Sequence, residues 1–457
     1  MSFESEWAGH NNVSNLKIYN DDNLDKIITD VRNEFLSQQP LSEFNRLAAT
    51  ILVKKPDNIW HRGNVNGTEI AYPASCVKLF YMWSAIEWCK SKSKSIYCLD
   101  KYVRPMVTVS SNLDTGFVID KITNTTNIDD MVAMNDTRWT EWYEKRLSTK
   151  TLLEKLNLYE NQRILSKTYP TNSGLGPVGA EALIISNDGS NRLQPCCSAS
   201  FMLYLIYALP AEEKQYIQSL LYHTLQSDQT SFGNGLPAAT ILHNKPGNAY
   251  DTVEDIAYMI LPNKQEIILA AFSNGYKRPK TDFYILGRFA EMLLDRLKLD
   301  NSDIIKTTDD QDNYMCTTNT TVHTTNLPKD VIGNSFIALS NPDNYCIWQP
   351  RLEKQGLYAI YIWNPSYERT TDSINITLQD VYNTDDTIQY NQLNSFSRWI
   401  YVGDYLLKAG RQSIQVSLSQ NASGFAVMNA IKFSIYPPLT DEDINANGVS
   451  CYISYYS

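Results

Sequence analysis

Long apolar runs are missing from this 457-residue chain. No stretch approaches the roughly 20 apolar residues that a membrane-spanning helix needs, so no membrane span is expected. Long basic runs are missing too, and the formal net charge is -10. That balance argues against nucleic acid or an anionic membrane as the main partner. The opening MSFESEWAGHNN has neither a basic start nor an apolar core, so no signal peptide is visible. The eight cysteines include no C-x-x-C pair, which removes the common zinc sites. The five histidines form no H-E-x-x-H and no paired-histidine motif, so neither a metal nor a cofactor is expected. Disulfides stay open, as accessories rather than as the framework of so long a chain.

What is present divides into two regions. Residues 1–300 mix helical and strand patterns. Leu24–Leu36 is expected to be an amphipathic helix with Leu24, Ile27, Ile28, Val31 and Phe35 on its apolar face. Leu47–Val53 is a strand candidate, and Pro73–Cys89 a helix with proline near its start. Further helices are expected at Thr151–Leu158, Ala199–Ala208 and Phe283–Leu299, and a strand pair at Ile256–Leu261 and Ile267–Ser273. Residues 301–330 are polar and poorly periodic and read as a linker. Residues 331–457 carry short strand patterns: Tyr358–Trp363, Ile374–Leu378, Trp399–Val402, Ile414–Leu418 and Ala426–Phe433. Their spacing predicts an all-β sandwich.

The segment AYPASCVKLF holds a serine and a lysine one helical turn apart, Ser75 and Lys78. The same S-x-x-K spacing recurs at Ser14–Lys17 and Ser91–Lys94, so spacing alone says little. Only Ser75 opens a strongly apolar helix, where outward-pointing backbone N–H groups favour developing negative charge. Lys78 lies on the same face. Burial of that helix would disfavour the lysine's charged form and let it act as a base. The alternative is that Ser75 caps the helix while Lys78 reaches outward to water.

Two more segments join this one: TVSSNLDTGFVID, with Ser110 and Asn112, and ILHNKPGNAY, with Lys245 and Gly247. The set resembles the class A β-lactamases and penicillin-binding proteins, whose signature is S-x-x-K, then S-x-N, then K-T-G. The segments LLEKLNL, LQPCCSASFMLYLIYAL and DIAYMILPNKQEIILAAFSNG fit the same order, so the resemblance covers residues 20 to 300. It implies an α/β (α+β) β-lactamase/transpeptidase-like fold, an antiparallel sheet flanked by helices. It implies a serine hydrolase or acyltransferase acting on an amide or related acyl bond of a small-molecule or peptide substrate. Ser75 would form the acyl-enzyme, Lys78 would take its proton, and Ser110 would relay a proton to the leaving nitrogen. Lys245 would keep a positive potential beside Ser110, and Asn112 would bond the substrate's acyl side chain. Gly247 would let the substrate lie close, and the N–H groups of Ser75 and Asn248 would form an oxyanion hole. A secreted or periplasmic location is also implied.

The sequence departs from that pattern in three places. Ser111 replaces the Asp of S-D-N. Pro246 replaces the hydroxyl residue of K-T-G and offers no donor. The stretch ILSKTYPTNSGLGPVG, where class A enzymes carry the glutamate that activates the deacylating water, contains none; Glu160 and Glu181 flank it. Poor deacylation is therefore expected. Extra residues around Met131–Arg146, with Trp139 and Trp142, would either reshape the cleft rim or form a surface insertion.

The segments GLYAIYIWNP, TIQYNQ, WIYVGDYLLKAG and GFAVMNAIKF resemble the golvesin-type C-terminal β-sandwich domain. Gly356, Tyr358, Trp363, Gln392, Trp399, Gly403, Gly410 and Ala430 sit on its pattern, while Asn429 stands where that pattern usually has Asp. The resemblance implies binding to carbohydrate or a cell-surface polymer, or a brace for the hydrolase. Trp363 and Trp399 would stack on sugars in the first case. Otherwise they belong to the core. Rival readings of the whole chain are a true β-lactamase, a peptide-tailoring acyltransferase or thioesterase-like enzyme, and a non-catalytic binding protein.

Overall fold

The computed structural model describes residues 17–39, 46–147, 177–275, 283–299, 302–317, 320–367, 370–379, 385–393 and 397–437. The helix expected at Thr151–Leu158, Glu160, and residues 164–176 of the glutamate-free stretch lie outside these residues. In chain order the N-terminal region contains β1 (Ile18–Asn20), α1 (Asp22–Gln38), β2 (Arg46–Lys54), β3 (Trp60–Val65) and a 3-10 turn (Ala74–Val77) running into α2 (Lys78–Ser91). Then come α3 (Asp100–Thr108), α4 (Asn112–Thr123), α5 (Trp139–Arg146), α6 (Gly179–Asp188), α7 (Pro195–Tyr207) and α8 (Ala211–Leu221). The region ends with β4 (Tyr222–His223), β5 (Ile241–Ala249), β6 (Thr252–Ile260), β7 (Glu266–Asn274) and α9 (Leu286–Leu297).

Seven strands form one sheet in the order β1-β3-β2-β7-β6-β5-β4. Only β1 joins its neighbour in parallel; the other pairings in this sheet are antiparallel. Helices cover both faces. Ile256, Ile268, Ala270 and Phe272 meet Phe80 and Met82 of α2 and Phe201 of α7. Ala257, Leu269 and Ala271, of opposite parity, meet Ile28 and Phe35 of α1 and Phe289 of α9. Two covered faces explain why β2 is apolar without alternation. Helix α1 starts at Asp22 because the Asp21 carboxylate accepts the N–H groups of Asn23 and Leu24 at 3.0 and 3.3 Å. Helix α2 is buried on all sides through Ile86, as its missing polar face requires.

The extra residues at Met131–Arg146 are mostly exposed, but their tryptophans are not. Met131, Trp139 and Trp142 pack with Ala180 and Ile184 of α6 into a small core of their own. Disulfides join Cys89 to Cys98 and Cys316 to Cys346; Cys76, Cys196 and Cys197 are in neither.

The C-terminal region is a β-sandwich. One sheet runs Arg398–Leu407, Gly356–Asn364, Ala430–Ile435, Asp303–Thr307; the other runs Asp385–Tyr390, Ile374–Gln379, Ile414–Leu418, Tyr345–Trp348, Tyr314–Cys316. Between them lie Trp348, Tyr358, Ile360, Ile362, Ile376, Val416 and Phe433. The linker expected at 301–330 is a correction: Asp303–Thr307 and Tyr314–Cys316 are edge strands of this sandwich. Edge strands are half-exposed, so their sequence stays polar and hides the alternation. The single strand expected over Ala426–Phe433 is two strands divided at Asn429: Ala426–Met428 joins a small third sheet with Phe336–Leu339 and Thr321–His323, and Ala430–Ile435 joins the four-stranded sheet. The buried Asn429 amide donates to Ile332 O at 2.9 Å and Ser335 O at 2.8 Å, while its Oδ1 accepts from Ile332 N at 2.9 Å. An ionised Asp could not make the two donations.

Candidate active site

The 3-10 turn Ala74–Val77 carries Ser75, so the helix expected from Pro73 becomes α-helical only at Lys78. Cys76 N donates to Pro73 O at 2.9 Å, and Ala74 holds a φ of 42°, in the left-handed region that costs a non-glycine residue energy. Strand β5 presses on this turn. A Cβ on Gly247 would lie 2.6 Å from Pro73 O and 3.1 Å from Ala74 Cβ. The absence of a side chain at Gly247, expected to give room for a substrate, gives room for the turn that carries Ser75. Gly247→Ala should displace that turn, lowering the melting temperature and slowing any acylation of Ser75; thermal unfolding and a labelling time course would read both effects. The Cys76 thiol fixes the same contact by donating to Lys245 O at 3.1 Å.

Ser110 sits between α3 and α4 with a φ of 57°. Ser111, in place of Asp, is the N-cap of α4, accepting the N–H of Asp114 at 3.3 Å. This geometry delivers Ser110 and Asn112 to Lys78. Lys78 Nζ lies 2.5 Å from Ser110 O, 3.1 Å from Ser110 Oγ and 2.7 Å from Asn112 Oδ1. Lys245 Nζ donates to the same Ser110 hydroxyl at 3.1 Å and to Pro246 O at 3.1 Å. Both lysines are fully buried. Burial, then the charge of Lys245, pushes the Lys78 amine well below the ordinary lysine range. Burial brings Lys245 down to about 8.

Three oxygens thus surround Lys78 Nζ, which donates to each of them, and Lys245 Nζ reaches the same Ser110 hydroxyl, so that one hydroxyl bridges the two amines. Burial disfavours the charged form of both lysines.

Lys78, Ser110, Lys245 and Asn112 thus come together as the sequence suggested. Ser75 is nearly buried at 8% exposure, and among the described residues its hydroxyl makes no hydrogen bond to either lysine. Asn112 is exposed, with its Oδ1 already given to Lys78. Asn248 is half-buried on β5, whose Lys245–Ala249 half pairs with β6 on one side and lies beyond the reach of β4 on the other. Glu181, one of the two glutamates flanking the glutamate-free stretch, accepts from buried Arg146 Nη2 at 2.6 Å.

Sequence reasoning missed the acids behind this site. Glu254, on β6 opposite Gly247, is fully buried with both carboxyl oxygens unpartnered, and its Oε2 lies 3.0 Å from the Cβ that Gly247 lacks. Asp255 accepts from Asn244 Nδ2 at 2.8 Å and Ser231 N at 2.7 Å. The signal was present: two adjacent acids inside the otherwise apolar strand TVEDIAYMI.

The Golvesin C-terminal domain family matches residues 305–435. In the N-terminal region the chain is similar in structure to a class A β-lactamase of the last common ancestor of Gram-negative bacteria, with a TM-score of 0.42 and 14% identity over 59% of this chain and 99% of that one. It is also similar to PBP-A, with a TM-score of 0.42 and 15% identity over 62% and 98%. A class A β-lactamase from Bacteroides cellulosilyticus gives 0.44 and 12% over 61% and 99%. Golvesin of Dictyostelium discoideum is 30% identical over 444 residues, spanning 93% of this chain and 75% of that protein. On that similarity, which runs through both regions, the chain belongs to the golvesin family.

Proposed function

We propose that the protein is a serine hydrolase or acyltransferase that cleaves an amide or related acyl bond through an ester on Ser75. The observation that carries this reading is a buried Lys78, disposed to be neutral, sharing the Ser110 hydroxyl with Lys245. Ser75 Oγ attacks the acyl carbon, and its proton passes to the Lys78 lone pair. From there the proton reaches the departing nitrogen or oxygen through Ser110 as the acyl bond breaks. The N–H groups of Ser75 and Asn248 would hold the oxyanion. For this to start, Lys78 must exchange its contact with Ser110 Oγ for one with Ser75 Oγ, a tightening that substrate binding commonly brings about. With Glu181 tied to Arg146 and no glutamate in the stretch 164–179, deacylation is expected to be slower than acylation.

The test is intact-mass detection of a covalent adduct after incubation with a fluorescent penicillin and a panel of esters and D-amino-acid amides. The adduct should map to the peptide containing Ser75, persist through the deacylation phase, and vanish in Ser75→Ala. An adduct that survives in Ser75→Ala refutes the assignment. One observation favours a second reading, a non-catalytic binder: Lys78 directs its contacts to Ser110 and Asn112 rather than to Ser75. No adduct with any member of the panel would select that reading.

The adduct-forming rate should also depend on pH. It should rise as Lys78 loses its proton, which burial and Lys245 shift well below the ordinary range. It should fall as pH passes about 8, where Lys245 loses the charge that disfavours protonation of Lys78. A single-limbed profile rising through pH 8 would remove Lys245 from the mechanism.

A further inference from the structure

The strand Gly356–Asn364 is buried on both faces, whereas a sandwich strand ordinarily leaves one face to solvent. Tyr358, Ile360 and Ile362 fill the sandwich core. Ala359, Tyr361 and Trp363, with Trp399 and Ala430, close instead over Ala238 of the N-terminal region. Trp363 and Trp399 are 2% and 1% exposed, so neither offers a face to a sugar.

The polar contacts of this junction converge on one segment. Lys432, fully buried, donates to Asn234 O at 3.0 Å and faces Glu291 at 3.4 Å and Asp303 at 3.6 Å. Asn234 Nδ2 donates to Trp399 O at 3.1 Å, and Ala238 N donates to Ser434 Oγ at 2.7 Å. Trp399 Nε1 adds a bond to Glu291 of α9 at 2.7 Å. The same segment, a few residues earlier, holds the neighbours of Lys245. Gln229 O accepts from Asn244 Nδ2 at 2.9 Å, and Ser231 N and Thr230 Oγ1 donate to Asp255 at 2.7 and 3.3 Å. Asn244 precedes Lys245 on β5, and Asp255 stands across from Pro246. The segment has little freedom between these two sets of contacts: a Cβ on Gly235 would lie 1.8 Å from Gly287 O of α9.

We infer that the C-terminal sandwich is an intramolecular positioning element, whose aromatic face clamps residues 229–238 and through them orients the strand that carries Lys245. Its inner partner is the N-terminal region of this same chain, and the occupant of the aromatic face is Ala238 rather than a polymer. The role in orienting Lys245 rests on the reading of Lys245 as part of the site. The coupling runs through a continuous set of packed and hydrogen-bonded groups, and a buried charge set of this kind depends on all of its members.

The test is hydrogen exchange on the full chain carrying Lys432→Met, with Ser434→Ala as the milder variant should the first fail to fold. Protection in residues 226–249 is expected to fall by about tenfold or more relative to wild type, while α1 and α2 keep theirs. Loss confined to residues 336–437, or equal loss everywhere, overturns the inference. This readout needs no substrate, so it stands if no adduct ever forms. If the wild type does form an adduct, Ser434→Ala should slow its formation while leaving α2 protected. An unchanged rate would separate the sandwich from Lys245.

Discussion

Replacing Lys78 by methionine is expected to suppress covalent labelling of Ser75 while leaving the protein at least as stable as before. The amine is fully buried, and burial followed by the Lys245 charge holds its proton affinity well below the ordinary lysine value. On the proposed mechanism the variant removes the base that takes the Ser75 proton, and loss of a positioned general base costs roughly a hundred- to ten-thousand-fold in rate. The stability argument has the opposite sign. A lysine whose folded pKa is depressed binds fewer protons folded than unfolded. It therefore weakens the fold at every pH below the unfolded value of about 10.4, most of all below the folded value. Methionine removes that penalty and fills the same space. It also strips Ser110 O and Asn112 Oδ1 of their donor, at about 1 kcal/mol for each bond. The melting temperature should stay level or rise at neutral pH, while the adduct disappears from the mass spectrum. A variant that labels normally, or that melts far below wild type, contradicts the assignment of Lys78 as a destabilised functional base.

Glu254→Met should stabilise the protein, increasingly so as the pH rises. Burial pushes the Glu254 carboxyl well above the usual range, Asp251 adds to the shift, and the nearby Thr252 opposes it. Neither carboxyl oxygen has a hydrogen-bond partner. The groups around it are Gly247 on β5, Phe272 on β7, Asp251 and Thr252 at the start of its own strand, and Cys76 on the Ser75 turn. A carboxyl with a raised folded pKa keeps a proton that the unfolded chain has already lost. From about pH 4.4 upward, folding then costs about 1.4 kcal/mol more with each pH unit until the folded pKa is reached. Methionine abolishes that dependence. Melting curves of the two proteins should nearly coincide at about pH 4.5 and separate steadily towards neutrality, reaching a gap of about 2 kcal/mol or more by pH 7. A gap that does not change with pH would mean that Glu254 is ionised in the fold. The shifts of these two buried groups have the sign that weakens the fold near neutrality, the amine below and the acid above its ordinary range. Such a concentration of cost is commoner at functional sites than elsewhere in a protein.

Local pattern was enough for much of this molecule. The apolar face Leu24, Ile28, Val31 and Phe35 gave α1, because a 3.6-residue period leaves few other solutions. The all-apolar segment after Pro73 gave a buried helix, and with it the expectation of a desolvated Lys78. The three motifs singled out Ser110, Lys78 and Lys245, and both lysine amines lie 3.1 Å from the Ser110 hydroxyl. Helix α3 was missed although Val103, Met106 and Val107 keep the helical spacing, because it is nine residues long and holds Pro105, which reads as a helix breaker; in α4 polar residues interrupt the period over twelve residues. The strands within 301–330 were missed because edge strands keep a polar sequence.

Sequence by itself determined which chemistry-bearing residues this chain owns, the periods of its long helices and strands, and the sandwich character of its C-terminal region. Only the tertiary structure decided what those residues touch. It turned the Ser110 hydroxyl towards two lysines at once, set Gly247 against Pro73 rather than against open space, and placed the Glu254 carboxyl, without a hydrogen-bond partner, across from Gly247 beside the Ser75 turn. It also joined the aromatic face of the sandwich to the segment that steadies β5. The physical reason is range. Periodicity reports on neighbours one turn or one pleat away, whereas burial, proton affinity and the docking of two regions are set by groups that the chain brings together from more than a hundred residues apart.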